Sequence, residues 1–119
     1  RTAELRRLAW SAYAAAREVD DLAAASAALA AGLAAAAAYM HALATLHHAK
    51  HALGPPAHGA LSRELASRDE QGAGSEEVRW AIEHASPTVR EVVRRFPIRG
   101  PGRGRLDDFL YQLDAGLRG

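Results

Sequence analysis

The chain has 119 residues, enough for one compact domain and too few for two ordinary ones. Alanine accounts for 29 of them, leucine for 14, and Val, Ile and Phe together for nine; this excludes an all-β domain, because Ala and Leu suit helices while β-branched residues suit strands. Cysteine is absent and the formal charge is +1, which excludes disulfides, thiolate zinc and a cysteine nucleophile, and leaves the whole chain no strong pull on nucleic acid or an acidic membrane.

Arg1 opens the sequence where a Met would stand, so the chain reads as trimmed or partial, with no signal peptide at this start. From Arg1 to Val19, Leu5, Leu8, Ala9, Ala12, Tyr13 and Ala16 recur at spacings of three and four and predict an amphipathic helix. Asp20 and Asp21 then supply an N-cap signal. The second helix is expected from about Leu22 to Leu53. Its stretch from Leu22 to Met40 is uncharged and nearly membrane-span length, but its bulky residues are few and alanine drives insertion weakly, so a close-packed helix is preferred. Unbroken, it would run close to 50 Å at about 1.5 Å per residue, so a break is expected, with Gly32 a candidate site.

Gly54-Pro55-Pro56 is expected to close or sharply kink that helix, since neither proline offers an N–H. A short helix from about His58 to Ser67 follows, and Arg68 to Gly74 reads as a loop. Ser75 is expected to cap the next helix, with Glu76 and Glu77 in its first turn. Val78, Ala81, Ile82 and Ala85 form its apolar side, with Trp80 beside them. Ser86-Pro87 is an N-cap followed by proline at the first helical position, opening a helix with Val89, Val92, Val93 and Phe96. Residues 98–105 read as a mobile basic Gly/Pro linker. A final amphipathic helix uses Leu106, Phe109, Leu110, Leu113 and Leu117. The expected architecture is all-α, a compact bundle of five or six helices: an alanine-rich bundle over 1–97, the linker, and a helix in 106–119 packing on the same domain.

Four of the six histidines lie at His41, His47, His48 and His51. At about 100° per residue they share one helical arc of about 120°. Read backwards along an unbroken helix, Leu22, Leu29, Leu33 and Met40 fall on the side of His47 and His51, so the first reading is a packed polar seam. The i, i+4 spacing of His47 and His51 also lets two imidazoles reach one zinc ion. That is the lesser reading: His48 stands where a metalloprotease carries its glutamate, Lys50 is a poor neighbour for a dication, and no third ligand declares itself. A partner-facing histidine surface is the remaining reading.

The run Ala44-Thr45-Leu46-His47-His48-Ala49-Lys50-His51-Ala52-Leu53-Gly54 resembles the Ala-Thr-x-His-x-x-x-His-Ala-x-Gly stretch of bacterial immunity proteins from polymorphic toxin systems. His41, the alanine-rich helices before it and the region from Arg79-Trp80 to Phe96 are similar too, so the likeness spans residues 5 to 96. Pro55-Pro56 and the tail from Arg99 to Gly119 depart from the pattern. The resemblance implies a non-catalytic, cytoplasmic protein that binds another protein, a cognate toxin.

Catalytic patterns are not found. Asp107-Asp108 stands at a helix start, where capping explains it, and Gly100-x-Gly102-x-Gly104 lacks the flanks of a phosphate loop. The expectation is therefore a protein-binding helical protein, with His41, His47, His48, His51 and Trp80 as the partner surface and no cofactor. With so few large apolar residues, a homodimer is expected, since burial at an interface supplements a thin core. The rival class is a small nucleic-acid-binding protein that holds phosphates with Arg99, Arg103 and Arg105. A third is a metal-binding bundle built on His47 and His51. No membrane association is expected.

Overall fold

The computed structural model describes residues 2–37, 46–68 and 72–119, with residues 46–50 described by backbone alone. Its described residues form six helices and no strand: α1 Thr2–Glu18, α2 Leu22–Ala37, α3 Leu46–Ala66, α4 Gly72–His84, α5 Pro87–Arg94 and α6 Gly104–Arg118. The radius of gyration is 14.0 Å. Among the described residues no helix is long and apolar enough to cross a membrane.

α1 packs on α2, and α2 packs on α3. The buried residues of these first two helices are small: Ala9 in α1, and Ser26, Gly32 and Ala36 in α2. A Cβ on Gly32 would come within 2.5 Å of Tyr13 Cε1, so this glycine lets the Tyr13 ring lie against the α2 backbone. Gly32 is thus a packing residue inside α2 and not the break expected there. α2 ends at Ala37 and α3 begins at Leu46. The two are antiparallel: Ser62 Oγ donates to the Ala23 carbonyl at 2.7 Å near one end, and Leu33 lies over Gly54 near the other. The leucine stripe that the unbroken helix was expected to carry into the histidines therefore does not exist, and Leu22 stands exposed.

Asp21 caps α2 as expected, its Oδ2 accepting from Ala24 N at 2.8 Å. Pro55 and Pro56 do not end a helix: α3 runs through both. They deprive the carbonyls of His51 and Ala52 of their helical donors, a cost of about 3 kcal/mol per proline in a helix interior. Burial on both sides of the pair opposes that cost, with Leu53, Ala57 and Ala60 almost fully enclosed. α3 also packs against α2, α4 and α6. The helix expected from His58 is thus the second half of α3.

α4 starts at Gly72, ahead of the expected Ser75 cap, so Ser75 lies inside the helix. Gly74 lets the Phe109 ring lie against the α4 backbone, since a Cβ there would collide with its Cζ. Ser86 does cap α5, accepting from Val89 N at 3.2 Å with Pro87 in the first turn. The main core joins Leu53, Ala57 and Ala60 of α3, Val78 of α4, Val93 of α5, and Phe109, Leu110, Leu113 and Leu117 of α6.

The expected linker is fastened. Arg118 Nη2 donates to the carbonyls of Phe96 at 2.7 Å and Pro97 at 3.0 Å. Arg99 N donates to Asp114 Oδ2 at 3.4 Å, and Arg103 N to Asp107 Oδ2 at 2.9 Å. Asp114 is itself buried and paired with Arg118 Nε at 2.9 Å. α6 begins at Gly104, so Arg105 belongs to its first turn and not to the linker.

Candidate functional site

The antiparallel α2–α3 pair leaves a shallow valley near the end of α2 and the start of α3, and α5 walls it. The result is an open apolar groove of about 310 Å³ lined by Ala34, Ala37, His51, Ala52, Pro55, Thr88, Val89 and Val92. α5 packs on α6 through its other side, where Val93 is fully buried. Of the four apolar residues that the sequence places on this helix, Val89 and Val92 are 45% and 37% exposed. Their apolar face is wider than α6 alone can cover, and the surplus faces the groove.

Of the expected partner residues, His51 is half-buried and lines this groove. His47 and His48 lie in the first turn of α3, where only the backbone is described, and His41 lies outside the described residues. The metal reading on His47 and His51 lies partly outside the described side chains, because His47 is described by backbone alone; among the described residues no three His, Cys, Asp or Glu side chains come together as metal ligands. His58 lies two turns beyond His51 on nearly the same side of α3. It is half-buried, its Nδ1 has no hydrogen-bond partner, and burial pushes its pKa below the ordinary histidine value.

Trp80 belongs to a different surface. It is 56% exposed on α4 and stacks on His84, with ring centroids 4.2 Å apart and planes 19° from parallel. His84 Nδ1 donates to the Trp80 carbonyl at 2.8 Å, which fixes the imidazole beneath the indole. Neither residue of this pair lines the groove that holds His51.

The three arginines of the phosphate-binding alternative are differently placed. Arg105 makes a two-point pair with Glu64, Nε to Oε2 and Nη2 to Oε1, each 2.8 Å. Its Nη2 also reaches Ser75 Oγ at 3.3 Å, and its guanidinium sits 4.4 Å over the Phe109 ring. Hydrogen bonding to Glu64 raises its pKa further, against the desolvation of partial burial. This arginine ties α6 to α3 and α4. Arg99 is half-buried and only Arg103 is exposed. On α5, Arg90 donates to the carbonyls of Ile82 and Gly116, closing the ends of α4 and α6.

Fold and site together define an all-helical domain whose apolar concavity opens between three helices. Comparison with known proteins adds no relative: no family model, no curated protein and no solved structure matches this chain.

Proposed function

We propose that this chain is a non-catalytic protein-binding domain that works in the cytoplasm in the manner of an immunity protein, holding a partner, a toxin, by surface complementarity. The observation that carries the reading is the groove, where Val89 and Val92 stay exposed opposite a small-residue floor. Exposed apolar groups rimmed by polar ones favour protein–protein contact. The Trp80–His84 stack supplies a second, rigid aromatic anchor of the type that carries interface energy. The engagement of Arg105 with Glu64 weighs against the phosphate-binding alternative.

The test is capture from the native bacterium followed by reconstitution with the purified partner. The expected result is one protein bound in stoichiometric amount, weakened by Trp80→Ala, whose expression arrests growth until this chain is co-expressed. Salt-steep binding of DNA or RNA, lost on neutralising Arg99, Arg103 and Arg105, would overturn the reading in favour of nucleic acid.

A further inference from the structure

The groove differs in chemistry from the hollow beside it. Its floor is small: Ala34 and Ala37 on α2, Ala52 and Pro55 on α3. Such a floor leaves depth that side chains of an incoming element must fill, because unfilled space forfeits dispersion contacts on its walls. Its α5 wall presents Thr88, Val89 and Val92. One turn beyond Val92, in the adjoining hollow, stands Arg95, whose side chain is 73% exposed. Arg94 and Arg95 share a single carboxylate, Glu91, at 3.7 Å each. These three side chains line the hollow next to the groove and not the groove itself, so the basic excess lies beside it, where the two share Thr88 and Val92.

We propose that the groove receives an acidic amphipathic helix of a partner protein. Apolar residues spaced at i, i+3 and i+4 on that helix seat against Val89 and Val92, and a carboxylate on its flank meets Arg95. The small floor admits a helix edge, and the basic excess in the hollow beside it selects the sign of the flank. The assignment rests on the protein-binding reading and adds the chemistry of the partner.

The probe is a fluorescein-labelled helical peptide of about 18 residues, long enough to hold helix, with leucines on one face and glutamates on its flanks. A second peptide keeps the leucines and carries lysines on the flanks. Binding to the full chain is read by anisotropy at physiological salt, with Val92→Asp and Arg95→Glu as variants. Both positions are exposed, and circular dichroism confirms that each variant keeps its helices. The glutamate peptide is expected to bind about tenfold tighter than the lysine peptide. Val92→Asp is expected to weaken it by about tenfold or more, and Arg95→Glu to reverse the preference between peptides. Equal binding of the two peptides, no binding of the glutamate peptide, or indifference to Val92→Asp overturns the proposal. So does self-association of the chain abolished by Val92→Asp, which would put a second copy in the groove. If these peptides fail while the reconstituted native partner still binds and depends on Trp80, the groove assignment falls and the protein-binding reading stands.

Discussion

Arg105 shows how one side chain changes meaning when its surroundings are known. In the sequence it belongs to a basic stretch, Arg90, Arg94, Arg95, Arg99, Arg103 and Arg105, that could hold a phosphate backbone. In the fold it bridges Glu64, Ser75 and the Phe109 ring. Glu64 is the more enclosed partner, with a side chain 14% exposed, so removing the guanidinium leaves a carboxylate poorly solvated. Arg105→Ala is expected to cost about 1–3 kcal/mol, the range for hydrogen bonds to charged groups, read as a lower urea midpoint with unchanged slope. His58 gives a second prediction at this scale. Burial lowers its pKa, so the unfolded chain binds the proton more readily than the folded one. Stability is therefore fully present above the unfolded value near 6.5 and is lost as pH falls toward the folded value. The slope for one such group is at most about 1.4 kcal/mol per pH unit. Urea titrations of wild type and His58→Leu between neutral and mildly acidic pH check this, and the variant is expected to lose part of the pH dependence.

At the scale of the element, α3 is the clearest case of packing overriding local preference. Two adjacent prolines in mid-helix are a strong stop signal, yet the helix passes through them. Leu53, Ala57 and Ala60 are held in the core on either side, and breaking the helix would expose them. If that account is right, the prolines are tolerated and do not help. Pro56→Ala restores a donor for the Ala52 carbonyl and is expected to stabilise the chain, by up to about 3 kcal/mol, as a rise in thermal midpoint. A fall would show that the rings themselves are needed. α4 teaches the opposite lesson about glycine. Gly72-Ala-Gly74 reads as loop, but it lies in α4, and Gly74 is where Phe109 needs a surface without a Cβ. Where a cap is purely local, as at Asp21 and Ser86, the sequence signal and the structure agree.

For the whole molecule, the arrangement is a large-residue core in α3–α6 with an alanine-rich α1–α2 layer added beside it. α1 packs on α2 and leaves Leu8 and Trp10 at 50% and 62% exposure. This layer buries small side chains, each worth little at about 25 cal/mol per Å². Leu8 and Trp10 stand about 200° apart on α1, on either side of buried Ala9, so they do not share one face, and we propose that the chain self-associates through the Leu8 edge. Sedimentation at micromolar concentration is expected to give a dimer, converted to monomer by Leu8→Glu while the helices persist. A wild-type monomer would remove this argument.

Composition and local chemistry were enough to determine that the chain is helical, where α1 and α5 lie, and which aspartate and serine cap α2 and α5. These follow from propensity, periodicity and hydrogen bonds between residues a few positions apart, all of which are written in the order of the amino acids. The candidate site was legible only in part. His51 and Trp80 were picked out, but their spacing could not say that His51 lines a groove or that Trp80 stacks on His84. Val89 and Val92 carried an apolar signal that cannot say whether another helix covers them. Tertiary structure alone decided that Pro55 and Pro56 lie inside a helix, that Gly32 and Gly74 are contact points, and that Arg105 is spent on Glu64. Each of those outcomes depends on a partner far away in the chain, and neither spacing nor propensity encodes which distant surface a residue will meet.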